Sequence, residues 1–269
     1  MPYMLAVDIG NTNIVFGAFE LDEVSLVKSE LKERLICSWR VHTIHSRTAE
    51  ENFVFVLNML NWHKIDPSAV KAVCICSVVP PITPSFEEMS KRFFGIPPLV
   101  VGVNMDVGMP ILYEDPKAVG ADRVINAVAA YELYGGPCIV VDFGTATTFD
   151  AVTADGAYIG GAIAPGITIS AEALFERAAK LPKIQLEVPK NAIGRSTVAS
   201  MQSGIVFGYV GLVKELVRRF KSELGEAKVI ATGGLAGFMA PLIEEIDEVE
   251  TDLTLLGLYI AFVRHQSRS

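Results

Sequence analysis

The chain has 269 residues, 51% of them hydrophobic and 20% charged, a composition that fits a globular protein of one large domain or two of about 130 residues. Its 31 acidic and 23 basic residues give a net charge of −8, which argues against a nucleic-acid footprint and leaves room for a local pocket that binds a small anion. Four cysteines without a C-x-x-C pair exclude a disulfide framework and a thiolate zinc site, and no window approaches the roughly 18 apolar residues of a membrane span. With no basic segment ahead of the first apolar run, the expected location is the cytoplasm, a reducing compartment.

The first elements are read from "LAVDIGNTNIVFGAFE". Leu5-Ala6-Val7 enters a sheet, Ile14-Val15-Phe16 leaves beside it, and Asp8-Ile9-Gly10-Asn11-Thr12-Asn13 turns between them. Such a turn is either an ordinary hairpin or a phosphate-binding loop. The charged segment over 20–40 then reads as an elongated strand pair with a solvated turn. In "RTAEENFVFVLNMLNWHKI", Thr48 and Glu51 have capping-box spacing ahead of a helix, and "KAVCICSVVPP" follows as a buried strand with Cys74 and Cys76 on one face. "TPSFEEMSKRFFG" repeats the cap with Ser85 and Glu88, and "PLVVGV" gives another strand. In "YEDPKAVGADRVINAVAAYELYG" a helix over 122–134 puts Asp122 at its first turn, where the dipole favours an ionised carboxylate. Asp122 is there either a helix cap or a group that accepts a proton from an attacking hydroxyl.

The second half opens on "CIVVDFGTATTFDAV", which has the same form as the first stretch. Asp142-Phe143-Gly144-Thr145-Ala146-Thr147 aligns with the six residues from Asp8 at an offset near half the chain, so the chain reads as two copies of one α/β domain, 1–117 and 118–269. Two facing turns of this kind, each with hydroxyls, backbone N–H groups and one carboxylate, would line a cleft suited to a polyphosphate and its cations. Strands are expected near 138–141, 149–152 and 228–231, and helices near 167–180, 197–224 and 252–264. Gly204, Gly208 and Gly211 bare one face of the 197–224 helix, for close packing on another helix or another subunit. Gly233-Gly234 marks either a tight strand-to-helix turn or a close approach to a ligand. No Walker loop, G-x-G-x-x-G turn, H-E-x-x-H or G-x-S-x-G occurs, and the four scattered histidines carry no expected role.

Taken in order, "DIGNTNIVFG", "WRVHT", "CSVVPP", "DPKAVGADR", "VDFGTATTFD", "GGAIAPG", "GRSTVASMQSG", "TGG" and "DLTLLGL" resemble the type III pantothenate kinases, of the acetate and sugar kinase, heat-shock protein 70 and actin superfamily. The resemblance runs nearly end to end. It implies duplicated ribonuclease-H-like (actin-like ATPase) domains with a cleft between them, a homodimer, and ATP-dependent phosphorylation of pantothenate to 4'-phosphopantothenate, the first step towards coenzyme A. It further implies that Asp8, Ile9, Gly10, Asn11, Thr12, Asn13, Ile14 and Val15 form an ATP phosphate loop, with Asp8 near Mg²⁺ through water. Thr145 would contact ATP, and Asp142 would hold a monovalent cation, K⁺ or NH₄⁺. Tyr113, Gly120, Ala121, Asp122, Arg123 and Thr197 would surround pantothenate, with Asp122 as proton acceptor. The family pattern differs at a longer 20–36 segment and at Thr48-Ala49-Glu50-Glu51. Two other readings stand beside this one: a non-catalytic nucleotide-binding regulator of the transcription accessory type, and a kinase or phosphatase of the same superfamily acting on a sugar or acyl phosphate. Neither a nucleic-acid nor a membrane partner is expected.

Overall fold

The computed structural model describes residues 1–21, 30–102 and 105–268. In chain order its strands are β1 (Tyr3–Ile9), β2 (Asn13–Glu20), β3 (Leu35–His42), β4 (Val70–Ser77), β5 (Leu99–Val101), β6 (Cys138–Phe143), β7 (Ala146–Val152), β8 (Tyr158–Pro165), β9 (Lys228–Thr232) and β10 (Glu248–Val249). Its α-helices are α1 (Ala49–Trp62), α2 (Thr83–Met89), α3 (Ala121–Tyr134), α4 (Ile167–Arg177), α5 (Thr197–Leu224), α6 (Ala236–Met239) and α7 (Leu253–Gln266). They fall into two compact units, Met1–Leu133 with the chain from Asp252 onward, and Tyr134–Thr251.

The first unit holds a sheet of order β3-β2-β1-β4-β5, with β1–β2 and β2–β3 antiparallel and β1–β4 and β4–β5 parallel. The second holds β8-β7-β6-β9-β10 with the same sequence of pairings, so the repeat suspected from two Asp-x-Gly turns extends to whole sheets. The turns themselves differ by one residue: Ile9 pairs with Ile14, but Phe143 pairs with Thr147.

The central strands read as almost continuous apolar runs because both of their faces are buried. In the first unit Leu5, Val7, Ile9, Val73 and Ile75 pack with Val56 and Leu60 of α1 and Phe86 and Met89 of α2. The alternate residues Met4, Ala6, Cys74 and Cys76 are equally buried on the other face, where the Cys74 thiol donates to the Leu258 carbonyl of α7 at 3.7 Å. Helix α7 closes tightly on α3: a Cβ at Gly257 would lie 2.4 Å from the Ile125 carbonyl oxygen. In the second unit Ile139, Val141, Phe143, Phe149 and Val229 pack with Ile167 of α4 and with Ile205, Tyr209, Val213 and Val217 of α5.

The Thr48–Glu51 capping box forms as expected, with both reciprocal hydrogen bonds present. The second cap does not. Helix α2 begins earlier, with Pro84 in its first turn, so Ser85 lies inside it and turns its hydroxyl back to the Ile82 carbonyl at 2.8 Å. Of the segment over 20–40 in which a solvated turn is expected, residues 22–29 lie outside the described residues. Phe19 and Leu35 pair on either side of them, as a strand pair requires. Strand β8 is an element the sequence reading lacked. All four cysteines are free, three of them buried.

Candidate active site

In the first unit the β1–β2 turn is closed by the Gly10 N–H donating to the Asn13 carbonyl at 3.0 Å, an approach that a Cβ at Gly10 would crowd at 2.9 Å. The residue that fixes this turn comes from elsewhere. Thr43, just beyond β3, donates its hydroxyl to the Gly10 carbonyl at 2.6 Å and its N–H to the Thr12 carbonyl at 3.0 Å. With these carbonyls drawn into the protein, the side chains of Asn11 and Thr12 lie exposed at the tip. Such a turn of amides and hydroxyls suits an anion.

Asp8, the last polar residue before the turn, is half-buried and pairs in register with Cys76 of β4. The fully buried Cys76 thiol is held well above its ordinary pKa, first by burial, then by the charges of Asp8 and Asp122. The two carboxylates thus bear on one thiol, and Asp8 shares the α7-facing side of the sheet with Met4, Ala6 and Cys76. Asp122 is the second residue of α3, with one oxygen accepting the Arg123 N–H at 2.8 Å. It sits within the first turn and not at the cap position. Burial raises its pKa, partly opposed by that hydrogen bond and by the Arg123 charge. Gly120 makes room for the carboxylate: a Cβ there would lie 2.6 Å from the Asp122 Oδ1. Tyr113 is exposed, on the segment leading to Gly120, while Arg123 is buried.

In the second unit the matching turn is closed by the Gly144 N–H on the Ala146 carbonyl at 3.1 Å, with Thr145 exposed at its tip. Asp142 pairs with Thr148 on one side and Thr232 on the other. Gly233, with φ of +89°, brings the backbone so near that a Cβ there would lie 2.2 Å from the Asp142 Oδ1. The Leu235 N–H then donates to the Phe143 carbonyl at 3.2 Å. Gly233-Gly234 therefore serves a tight strand-to-helix turn that wraps the Asp142 strand end. The remaining expected residue, Thr197, is the first of α5, capped by Ser196. It lines a cavity of about 540 Å³ in the same unit, with Ser170, Leu174, Met201, Gly208 and Tyr209.

Gly204, Gly208 and Gly211 are exposed on α5, and a Cβ at any of them would meet nothing within 4 Å. Close packing within the chain is therefore not their purpose. Beside them Val198 and Phe207 of α5 and Ile169, Leu174 and Phe175 of α4 are exposed apolar side chains. Among the described residues no group of three or more His, Cys, Asp and Glu side chains is arranged to hold a metal ion, so a protein-only metal cage is absent there. A lone carboxylate with neighbouring hydroxyls and carbonyls offers hard oxygen donors, which fit the expected Mg²⁺ and K⁺ when ligand oxygens and water complete the shell. No helix of the described residues is long and apolar enough to cross a membrane.

Residues 4–219 match the family model for type III pantothenate kinase. The chain is 49% identical over 264 residues to a type III pantothenate kinase of Anaeromyxobacter sp. (strain Fw109-5), covering 98% of this chain and 100% of that one. Among solved structures it is similar to a conserved Baf family protein from Campylobacter jejuni, with TM-score 0.59 and 19% identity over 98% of this chain and 99% of the other. It is also similar to an inorganic polyphosphate/ATP-glucomannokinase from Arthrobacter sp. strain KM, with TM-score 0.52 and 14% identity over 99% and 100% of the two chains. The two structural likenesses bear on the fold: a duplicated α/β plan of the actin-like ATPase and sugar kinase type.

Proposed function

The chain belongs to the type III pantothenate kinase family, and from that premise we propose that it transfers the γ-phosphoryl group of ATP to the primary hydroxyl of pantothenate, giving 4'-phosphopantothenate and ADP in the first step towards coenzyme A. The observation that carries this reading is the pair of Asp-x-Gly turns on sheets of one strand order.

In this reading the Asp8–Val15 turn and Thr145 hold the nucleotide phosphates. Tyr113, Gly120, Ala121, Arg123 and Thr197 surround pantothenate. Asp122 orients the acceptor hydroxyl and takes its proton as the oxygen bonds to the γ-phosphorus and the bond to the bridging oxygen of ADP breaks. A loose transition state asks more for positioning and charge neutralisation than for a strong base, so a carboxylate with a modestly raised pKa suffices. Mg²⁺ near Asp8 and a monovalent cation at Asp142 supply neutralisation of the phosphate oxygens when bound. The bare glycine face of α5 and the apolar side chains beside it support a homodimer formed through the second unit. We place the repeat boundary at 117/118 and the protein in the cytoplasm.

The non-catalytic regulator is the weaker reading, because Asp8, Asp122 and Asp142 are all present and each is seated by a glycine or a strand pairing that a bare binding module would not need. The test is ADP release with Mg-ATP and K⁺ across pantothenate, several sugars and acetate. Turnover with pantothenate alone is expected. Comparable turnover of a sugar, or none with pantothenate, contradicts the proposal.

A further inference from the structure

Tyr209, near the middle of α5, belongs to the core of the second unit and also lines the cavity on that helix. Phenylalanine would fill the core as well, so the phenol hydroxyl has a use of its own. It donates to the carbonyl of Pro165, the last residue of β8, and shares a 2.7 Å hydrogen bond with the Ser170 hydroxyl of α4. Pro165 faces Ala146, the first residue of β7, and has no N–H to donate. The end of this edge strand therefore lacks a ladder donor, and Tyr209 anchors it from the core side.

What rests on that strand end is the Gly144–Thr145 turn. Gly166, next after Pro165, donates its N–H to the Thr145 carbonyl at 3.1 Å. The backbones touch there: a Cβ at Gly166 would lie 2.2 Å from the Thr145 carbonyl oxygen and 2.7 Å from that of Gly144. Any shift of Pro165 is thus passed directly to the turn that carries Thr145. We propose that Tyr209 is a positioning residue for nucleotide binding, holding the Thr145 turn in register through Pro165 and Gly166. This rests on the reading of Thr145 as an ATP contact.

The experiment compares wild type, Tyr209→Phe and Ser170→Ala by calorimetric titration with a non-hydrolysable Mg-ATP analogue, by KM for ATP and for pantothenate, and by thermal melting. Tyr209→Phe keeps the ring and the packing. It is expected to weaken nucleotide binding about 2- to 10-fold, the span of one net hydrogen bond, and to raise the KM for pantothenate by less than that for ATP. Ser170→Ala leaves the Tyr209–Pro165 bond in place and should change nucleotide affinity far less. Nucleotide affinity in Tyr209→Phe equal to wild type overturns the inference, as does an equal loss for both substrates, which marks a general structural role. Wild type that fails to bind the analogue contradicts the nucleotide-site reading itself, whereas tight binding by both proteins contradicts only the role of Tyr209.

Discussion

Asp122 is held where an ionised carboxylate is disfavoured. Burial raises its pKa, so its ionised form costs folding stability. The stability that goes with its protonated form is present below the ordinary carboxylate pKa of about 3.9 and is lost as pH rises through the higher folded-state value. Asp122→Asn is therefore expected to melt higher than wild type at neutral pH, with the difference vanishing in acid. If Asp122 takes the acceptor proton, the same variant loses roughly 10²- to 10⁴-fold in kcat with ATP affinity nearly unchanged. A variant that kept more than half of wild-type kcat would remove the role. Asp142 carries a separate expectation. Exchange of K⁺ for Na⁺ should lower the rate strongly, and Asp142→Asn should lose much of that dependence. Equal rates in the two salts would end the assignment of a monovalent cation to this carboxylate. The two turns that follow Asp8 and Asp142 were legible in the sequence because the Asp-x-Gly pattern occurs twice. Thr43 and Tyr209 were not, since their partners lie 33 and 44 residues away and no local spacing records such contacts.

Among elements, the capping box of α1 and the backbone contact at Gly166 make opposite predictions. Thr48→Ala removes the side-chain half of the box and should cost about 1 kcal/mol of stability without altering ATP affinity. Gly166→Ala forces a Cβ into two carbonyl oxygens of the Thr145 turn, so it should cost about 3 kcal/mol and weaken ATP binding as well. Denaturant unfolding paired with nucleotide titration separates the two; unaltered ATP affinity in Gly166→Ala would show that the turn does not depend on this contact. Strands β1, β4 and β6 were readable as apolar runs, and α5 was readable end to end over 197–224. Strand β8 was hidden by Gly160 and Gly161 and by an alternating exposed face, the mark of an edge strand with few apolar residues. The Ser85–Glu88 spacing misled because α2 begins at Thr83, with Pro84 in its first turn ahead of the motif, so Ser85 is already inside the helix. A division at 117/118 follows the repeat of motifs, while packing places α3 up to Leu133, and all of α7, with the first sheet.

For the whole molecule, the bare face of α5 leads to an expected assembly. Light scattering at micromolar concentration should give twice the 29.1 kDa of one chain. A mass near that of a single chain would leave Gly204, Gly208 and Gly211 without an explanation. The activity itself is tested most directly by product analysis after a reaction with Mg-ATP, K⁺ and pantothenate. Mass spectrometry and phosphorus NMR should find ADP and pantothenate phosphorylated at its primary hydroxyl in equimolar amounts. ADP formed with pantothenate left unmodified, or a phosphoryl group on the secondary hydroxyl, would contradict the account.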